Sequence, residues 1–519
     1  GGRKAGATAV VVGVAPTPAV ALNHVWRGTG AGLMVTASHN FRDQNGLKIF
    51  RGTVPLKLFP DDDRALTDRV LALDYAADVA PLDLKGAEIA ARDEAMDVFS
   101  RFHLDPRNSW LPPGETTGEF PLVVDAANGA MSGIAAEVLR ALHGGEVTEV
   151  NADVASGDVN RDSGVADLEG VVEIKRDDER FKRHRAVIEL FLRGGCAAVF
   201  DGDGDRFYRL DHDAESDTIH VLSGDETAVH QAAHLAPPRP GTLYINTVES
   251  DLNAARAAAD LGYTPLLTGV GDKWVLQQAA SDPANYGIGS EETGHNISRG
   301  MMTTKAGDEC EVFLGNGLKS AINTFVATRG KSAEDIRRPF TPGFKRTFYV
   351  YYTNKQLLAP LSEVFTGLEA LLRETCTLGP VELRLRPEEP DMLYLAVLDA
   401  DGGQRAGVFA RNSGTEEKTG INVRGRIEDA AALTAIGEAA WGYLAVHMKD
   451  REHAMTKAEL AVLQATGDGP RAADDLPVPE GVNRERLLLE LSTKEKVLAA
   501  TADGYERTAM GDTMLEALS

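Results

Sequence analysis

The sequence predicts an α/β fold divided into several domains. Short apolar runs with the character of buried strands alternate with longer segments whose apolar residues recur at helical spacing. This alternation is typical of domains in which helices pack on a sheet. The chain has 519 residues, which corresponds to about three to four domains of about 100–200 residues each. We therefore expect three mixed α/β domains followed by a smaller α+β domain.

The first half of the chain carries the clearest strand signals next to turns. Residues 8–12 and 33–36 read as buried strands, and Ser38 follows the second of them. After the turn at Pro112 and Pro113, residues 122–125 read as a strand and residues 134–142 as a helix. We place the first domain at residues 1–118 and the second at 119–230.

Proline-rich turns at residues 237–240 and 341–343 precede two further groups of elements. The first group has predicted strands at 242–246 and 264–267 and a helix at 251–261. The second group has predicted strands at 344–352, 381–385, 392–398 and 406–410, and predicted helices at 356–374 and 429–447. We place the third domain at 231–338 and the fourth at 339–450. Residues 451–519 are predicted to form a flexible linker, at 467–483, and a helical tail.

Composition excludes several classes of function. With 54 Lys and Arg against 78 Asp and Glu, the formal net charge is 54 − 78 = −24, which disfavours binding to nucleic acid or to an anionic membrane. Cys196, Cys310 and Cys376 are far apart, so neither a disulfide framework nor a thiolate zinc site is expected. No run approaches the ~18 apolar residues of a membrane span. We expect a cytoplasmic protein that binds a small molecule in a local cationic pocket.

A candidate metal site follows the apolar run 197–200. Asp201, Asp203 and Asp205 alternate with glycines that let the backbone curl, so the carboxylates can converge on Mg²⁺. A solvated acidic turn is the plain alternative. An EF-hand is excluded because Arg206 and His212 stand where it needs Gly and Glu. A phosphatase of the haloacid dehalogenase type, with Asp201 as nucleophile, stays open on this segment alone.

Three further segments carry candidate chemistry, although each could by itself be an ordinary polar turn. Ser38 and His39 follow a strand end, where α/β folds place reacting groups, and Lys48 lies ten residues on. The second segment contains Glu291, Thr293 and His295, whose polar groups can bind sugar hydroxyls. The third can form an anion nest with a bidentate guanidinium, and its residues are Arg411, Ser413, Gly414 and Thr415.

Taken in order, these four segments resemble the serine, metal, sugar and phosphate loops of the α-D-phosphohexomutase superfamily. Segments 123–130 and 269–275 also resemble its bacterial phosphoglucosamine mutase branch, and the similarity spans about residues 7–448. The resemblance implies a four-domain molecule with one loop per domain around a central cleft. It also implies an isomerase that moves phosphate between O6 and O1 of a hexose phosphate through a phosphoserine and a bound 1,6-bisphosphate.

The resemblance implies a role for each matching position. Ser38 would carry the phosphoryl group and bind Mg²⁺ with Asp201, Asp203 and Asp205. His39 and Lys48 would flank the transfer, and Arg206 would follow the metal ligands. The sugar loop would hold hydroxyls, the phosphate loop would hold the non-reacting phosphate, and Asp272 and Lys273 are further candidates for substrate contact.

Several positions depart from the family pattern. Phe41 replaces the usual Pro, Gln44 stands where the glucosamine branch often has Asp, and Thr293 replaces Ser while keeping the hydroxyl. Gly420 stands where an arginine commonly follows the phosphate loop, for which Lys418 or Arg424 are candidate substitutes. The family has a further strand, helix and arginine-bearing loop before the position of Gly1, so we expect domain one to lack that segment.

Glucosamine phosphate is favoured as the substrate, and three other hypotheses stay open. The first is a phosphoglucomutase or phosphomannomutase specificity. The second is the magnesium-dependent phosphatase that uses Asp201. The third is a sugar-phosphate-binding protein without catalysis.

Overall fold

The computed structural model describes residues 6–38, 45–52, 54–73, 86–414, 417–467 and 469–518. The chain divides into two compact units, Gly1–Thr341 and Pro342–Ser519. Both contain strands and helices, as the α/β prediction requires. Within the described ranges, no helix combines the length and apolar character needed to span a bilayer.

The described part of the first unit is built on four sheets. Two are small, pairing β1 with β5 and β2 with β3 and β4, and two are large, with strand orders β7-β6-β9-β10-β11-β8 and β13-β12-β14-β15-β16. The strands are β1 Ala9–Val11, β2 Gly32–Val35, β3 Leu47–Arg51, β4 Leu56–Lys57, β5 Glu88–Ala90, β6 Leu122–Asp125, β7 Val147–Val150, β8 Glu173–Lys175, β9 Cys196–Phe200, β10 Phe207–Asp213, β11 Thr218–Leu222, β12 Leu243–Thr247, β13 Thr264–Thr268, β14 Tyr286–Ser290, β15 Ile297–Thr303 and β16 Glu309–Gly315.

Helices pack against these sheets and supply much of the first unit's core. Helix α10 is buried along its whole length and contributes Leu318, Ile322 and Phe325 to the largest cluster of this unit. Among the described residues of the unit, the helices are α1 Thr17–Arg27, α2 Pro60–Leu71, α3 Arg92–Leu104, α4 Pro106–Ser109, α5 Ile134–Leu142, α6 Arg185–Arg193, α7 Gly224–Leu235, α8 Leu252–Asp260, α9 Asp272–Ser281, α10 Gly317–Ala327 and α11 Ala333–Arg337.

Strand β9 sets the position of the acidic loop. All five of its residues are buried, and it lies between parallel β6 and antiparallel β10 in the six-stranded sheet. A continuous apolar run is what a strand covered on both faces requires. The apolar run 197–200 is therefore part of a buried strand, and β6 and α5 have the bounds that the sequence predicted.

The second unit contains an antiparallel sheet of order β17-β21-β20-β19-β18. Helix α13 packs on it and places Leu433, Ile436 and Trp441 in one core with residues of the sheet. The strands of the unit are β17 Phe344–Tyr351, β18 Val381–Leu383, β19 Leu393–Leu398, β20 Gln404–Asn412, β21 Lys418–Gly425, β22 Leu498–Thr501 and β23 Gly504–Arg507. Its helices are α12 Glu363–Thr375, α13 Ala430–Met448, α14 Ala454–Ala465, α15 Arg484–Leu489 and α16 Ala509–Leu518.

The helix predicted at 356–374 begins later than expected. A short 3₁₀ turn covers Lys355–Leu357, and α12 starts only at Glu363. Pro360 explains the break, because a proline disfavours helical backbone in the residue before it and removes a helical donor. Ser362 then caps α12 by accepting a hydrogen bond from the amide of Phe365.

The tail differs more from the prediction, because residues 484–519 are not wholly helical. After α15 and a π-turn at Glu490–Lys494, β22 and β23 form an antiparallel hairpin before α16. Leu487, Leu491, Val497 and Met514 are buried in the same core as α13. Burial in this shared core therefore outweighs the sequence spacing, which alone favoured a helix. The division of the chain into five segments stays a prediction.

Candidate active site

The three aspartates predicted to bind a metal converge in the structure. Asp201, Asp203 and Asp205 are buried, and each offers a carboxylate oxygen within 4.8 Å of the others. Two glycines make this possible. Gly204 has φ +73°, and a Cβ at Gly202 would lie 2.9 Å from the carbonyl oxygen of Ser38. The turn after β9 therefore brings the carboxylates together and packs against the serine turn.

Charge repulsion and burial perturb these carboxylates strongly. Burial, with the nearby charges of Asp203 and Asp205, raises the pKa of Asp201 well above its ordinary value. Burial also acts to raise the pKa of Asp205, but His295 and Lys48 outweigh it and hold that pKa well below the ordinary value. A group of acids with such opposed shifts is typical of a functional site.

Lys48 joins Ser38 to the acidic loop. Its Nζ lies 2.8 Å from the Oγ of Ser38, 2.6 Å from Oδ2 of Asp203 and 2.7 Å from Oδ2 of Asp205. Strand β3 positions it, because Lys48 pairs with Met34 on β2, the strand that leads to Ser38. Burial acts to lower the pKa of Lys48, but the carboxylates of Asp203 and Asp205 raise it above its ordinary value. The side chain is thus an ammonium held against the serine hydroxyl.

The backbone around Ser38 is held by two contacts. Ser38 has a φ of +51°, a left-handed conformation that is uncommon outside glycine. Its amide donates to Oγ1 of Thr36, and its carbonyl oxygen accepts from Nδ2 of Asn160 at 2.7 Å. Strained backbone of this kind persists where surrounding contacts determine it, which is common at reacting groups. His39 lies outside the described residues.

Thr17 also reaches the acidic loop, although the sequence analysis did not single it out. Its Oγ1 donates to Oδ2 of Asp203 at 2.5 Å, and its amide donates to the carbonyl oxygen of Asp203 at 2.8 Å. Thr17 is the first residue of α1, so the helix N-terminus faces a negatively charged residue. The Pro16-Thr17-Pro18 turn after β1 was the signal that could have found it.

Arg206 closes the other side of the acidic loop. Its amide donates to Oδ1 of Asp201 at 3.1 Å, and its Nε lies 3.8 Å from Oδ2 of the same residue. Its guanidinium also reaches Glu169, with Nη1 to Oε1 at 3.1 Å. Arg206 therefore contacts Asp201 rather than Ser38, and it restrains the loop on which Asp201 lies.

Three carboxylate oxygens of the acidic loop lack a hydrogen-bond donor among the described residues. Oδ2 of Asp201, Oδ1 of Asp203 and Oδ1 of Asp205 are buried and accept no hydrogen bond from the described residues. Buried carboxylate oxygens in this state are costly unless a cation or water satisfies them. Carboxylates are also the ligands that hard divalent cations prefer. The residues present therefore fit a divalent cation.

The sugar-loop residues lie beside the acidic loop. Nε2 of His295 is 3.7 Å from Oδ2 of Asp205 and 3.4 Å from Oδ2 of Asp272, and its Nδ1 is 3.4 Å from Oε2 of Glu291. Oε1 of Glu291 accepts from the amide of Gly271 at 3.0 Å, which ties the loop after β14 to the start of α9. The structure thus brings the serine, metal and sugar segments of the first unit together.

Lys57 is a further cation of this cluster that the sequence analysis missed. Its Nζ lies 2.6 Å from Oδ2 of Asp272. Burial acts to raise the pKa of Asp272, but Lys57 and His295 outweigh it and lower the pKa below the ordinary value. By contrast, Lys273 lies over the ring of Trp274, at 5.2 Å from the centroid. Oγ1 of Thr293 is buried without a hydrogen-bond partner among the described residues.

The phosphate-loop residues form part of the second unit, at the end of β20. Nε of Arg411 lies 3.2 Å from Oε2 of Glu389, and the amide of Ser413 donates to the carbonyl oxygen of Lys418 at 2.9 Å. Gly414 is exposed and has open space around its Cα. Thr415 lies outside the described residues.

The two cations suggested as substitutes at Gly420 contact other side chains of the sheet. Nζ of Lys418 lies over the ring of Tyr349, at 4.4 Å from the centroid, and Nη2 of Arg424 donates to Oδ1 of Asn422 at 3.2 Å. Lys355 contacts the loop, because its Nζ donates to the carbonyl oxygen of Ser413 at 2.6 Å. No motif in the sequence pointed to Lys355.

Comparison with known families gives two matches. The family described as phosphoglucomutase/phosphomannomutase, alpha/beta/alpha domain I matches residues 1–76. The corresponding alpha/beta/alpha domain III matches residues 223–335. The first range contains Ser38 and Lys48, and the second contains Asp272, Glu291 and His295.

Curated relatives and solved structures agree with these matches. Phosphoglucosamine mutase of Actinobacillus succinogenes is 33% identical over 310 residues, which is 58% of this chain and 62% of that protein's length. Phosphoglucosamine mutase of Mycobacterium tuberculosis is 29% identical over 402 residues, 77% of this chain and 81% of the relative.

Among solved structures, a phosphoglucomutase/phosphomannomutase family protein of Burkholderia thailandensis has a TM-score of 0.59 at 19% identity, covering 85% of this chain and 83% of that one. Aspergillus fumigatus N-acetylphosphoglucosamine mutase, in complex with GlcNAc-6P and magnesium, has a TM-score of 0.52 at 14% identity, covering 82% and 92%. These two likenesses concern the fold.

The converging loops and the matches agree on one class of protein, because they confirm the resemblance of this chain to the α-D-phosphohexomutase superfamily. Within that class, the curated relatives that it matches here are phosphoglucosamine mutases.

Proposed function

We propose that this chain is a phosphohexomutase that converts glucosamine 6-phosphate to glucosamine 1-phosphate. The observation that carries the proposal is the position of Lys48, whose Nζ contacts both the Oγ of Ser38 and the carboxylates of Asp203 and Asp205. A hydroxyl held beside a carboxylate cluster is the arrangement that phosphoryl transfer through a serine needs. The similarity to phosphoglucosamine mutases supports the choice of sugar.

Asp201, Asp203 and Asp205 would hold Mg²⁺ together with an oxygen of phosphorylated Ser38. When bound there, the ion neutralises negative charge on the phosphoryl group during transfer. The magnesium in the structure of the Aspergillus fumigatus relative supports this choice of cation.

In the first transfer, a sugar hydroxyl oxygen forms a bond to phosphorus while the bond from phosphorus to the Oγ of Ser38 breaks. Lys48 donates a proton to that Oγ. We assign His39 as the base that accepts the proton of the attacking hydroxyl. The product of this step is a hexose 1,6-bisphosphate. In the second transfer, the other phosphate returns to Ser38 and both protons move back, so the enzyme ends in its starting state.

The remaining residues bind rather than react. We assign the sugar hydroxyls to Glu291, Thr293 and His295, with Asp272 and Lys273 beside them, and Arg206 to the restraint of the metal loop. The phosphate that does not react is assigned to Arg411, Ser413, Gly414 and Thr415. Glucose 1,6-bisphosphate in a structure of the same Aspergillus relative supports a bisphosphate as partner.

Substitution of Ser38 by alanine tests this function. A coupled assay with glucosamine 6-phosphate and a bisphosphate activator should show transfer in the parent protein and loss of transfer in Ser38→Ala. A phosphatase with Asp201 as nucleophile would release phosphate with or without Ser38, and that result would overturn the mutase. Glucose 1-phosphate and mannose 1-phosphate, assayed in parallel, decide the sugar, because a higher kcat/KM for either would replace glucosamine phosphate.

A further inference from the structure

The C-terminal segment 454–518 has no part in the function proposed so far, yet it is buried against the second unit. Leu463, Leu487, Leu491 and Met514 are at most 1% exposed and share a core with α13. Burial on this scale shows that the segment is an integral part of the unit. Its charged residues show what the segment does there.

Three buried charges lie where the segment meets the sheet. Nζ of Lys449, just after α13, is 2.8 Å from Oε2 of Glu459 and 3.0 Å from Oε1 of Glu495, and all three side chains are 0% exposed. Burial acts to lower the pKa of Lys449, but the two glutamates outweigh it and raise that pKa. A buried ion pair of this kind fixes geometry more than it adds stability.

Glu495 also holds the edge of the sheet. Its Oε1 accepts from the amide of Tyr351 at 2.8 Å, at the end of edge strand β17. Lys449 forms a backbone bridge with Thr353. Glu490, the first residue of the π-turn, accepts a hydrogen bond from the hydroxyl of Tyr352. The carboxylate of Glu495 thus connects Tyr351, at the end of β17, with Lys449, whose backbone pairs with Thr353 in the following turn.

The turn held in this way, residues 352–355, supports the phosphate loop. The amide of Tyr352 donates to the carbonyl oxygen of Glu417, Nδ2 of Asn412 donates to the carbonyl oxygen of Lys355 at 2.9 Å, and Nζ of Lys355 donates to that of Ser413 at 2.6 Å. Tyr352 has φ +55°, a conformation that needs surrounding contacts to persist. The turn therefore lies between the C-terminal segment and the loop.

We propose that Glu495 is a positioning residue for phosphate binding: by holding Tyr351 and Lys449, it fixes the turn 352–355 in the geometry that presents Arg411, Ser413 and Lys355 to a phosphate group. The inference rests on the proposed function of the Arg411 loop. It gives the C-terminal segment a role in substrate affinity, and it adds Lys355 to the cations of that loop.

The test compares Glu495→Gln with Glu485→Gln in the full chain. Glutamine at 495 keeps an acceptor for the amide of Tyr351 but removes the charge that holds Lys449, whereas Glu485 is exposed on the same segment. We expect the KM for glucosamine 6-phosphate to rise about tenfold in Glu495→Gln, because displaced binding groups lose affinity. The kcat at saturation and the affinity for Mg²⁺ should change little, and Glu485→Gln should match the parent.

An unchanged KM in a folded Glu495→Gln protein would overturn the inference. If Glu495→Gln does not fold, Glu495→Asp decides by the same criterion, because it keeps the negative charge but withdraws the carboxylate from the amide of Tyr351 and from Lys449. An inactive parent protein would count against the proposed function itself. An active parent with unaffected variants would count only against the role of Glu495.

Discussion

At the scale of single residues, Lys48 is the side chain through which the serine turn and the acidic loop meet. It lies 19% exposed, in contact with one hydroxyl and two carboxylates. An ammonium in this position can protonate the Oγ of Ser38 when the phosphoryl group leaves. It also neutralises part of the carboxylate charge when no divalent cation is bound.

We expect Lys48→Met to lower the rate of phosphoryl transfer from Ser38 by about 10²–10⁴-fold, the usual contribution of a positioned acid. Affinity for Mg²⁺ should be kept or increased, because a competing cation has been removed. Single-turnover transfer from phosphorylated protein and calorimetric Mg²⁺ titration measure the two effects. The exposed Lys457→Met serves as control, and a parental transfer rate in Lys48→Met would contradict the assignment.

The sequence singled out the candidate site residues but missed several of the residues that contact them. Asp201, Asp203 and Asp205 follow an apolar run and form a distinctive local pattern, whereas Ser38 was singled out because it occurs together with the other three segments. The contacts of these neighbours join residues at least 58 positions apart in the sequence. The neighbours are Thr17, Lys57, Asn160 and Lys355. No short motif encodes a contact of that kind, because it depends on how separate elements pack.

At the scale of elements, three site segments begin where a strand ends. Ser38 follows β2, Asp201 follows β9 and Glu291 follows β14. Strands fix the direction in which each segment leaves the sheet, and helices and neighbouring strands then hold it. Gly315, at the end of β16, shows how closely these elements pack, because a Cβ there would overlap the ring of His295.

We expect Gly315→Ala to displace the ring of His295 while leaving the chemical identity of every side chain assigned to the substrate unchanged. The KM for the sugar phosphate should rise about tenfold, and the free energy of unfolding should fall by about 1–3 kcal/mol, as for an overpacked core. Steady-state kinetics and urea unfolding measure these effects. Gly30→Ala is the matched control, since nothing lies within 4 Å of a Cβ at that exposed position. Parental kinetics in Gly315→Ala would show that His295 has no role in binding.

Element prediction succeeded where local pattern and tertiary contacts agree. Strand β6 and helix α5 have their predicted bounds because their apolar residues are also those that pack in the core. The helix predicted at 356–374 was wrong at its start because Pro360 outweighs the apolar spacing. The hairpin in the tail was missed because the pairing of β22 with β23 and the burial of Leu498 in the shared core are tertiary features, which spacing along the chain does not reveal.

At the scale of the whole molecule, buried charge makes stability depend on pH. Lys319 lies in α10 and is 1% exposed, and its ammonium donates to the carbonyl oxygen of Asn108. Burial lowers the pKa of Lys319 to about 7 from the ordinary value of 10.5. Between these two values the unfolded chain binds a proton that the folded chain does not, so stability rises with pH in that window.

We expect the free energy of unfolding to increase from pH 7 to pH 10 by up to about 4 kcal/mol more in the parent than in Lys319→Met, since each unit of pKa shift corresponds to about 1.4 kcal/mol. Urea unfolding at several pH values, followed by tryptophan fluorescence, gives the comparison. The exposed Lys305→Met should keep the parental pH dependence. Equal slopes in the parent and Lys319→Met would show that Lys319 titrates normally in the folded protein.

The central claim is that phosphorylated Ser38 and the three aspartates share one divalent ion. Phosphorus NMR of protein phosphorylated with glucose 1,6-bisphosphate tests it most directly, with Mn²⁺ added as a paramagnetic substitute for Mg²⁺. We expect one equivalent of Mn²⁺ to broaden the phosphoserine signal beyond detection, and we expect Asp203→Asn to prevent this at the same Mn²⁺ concentration. A phosphoserine signal that stays sharp while Mn²⁺ is bound would contradict the account.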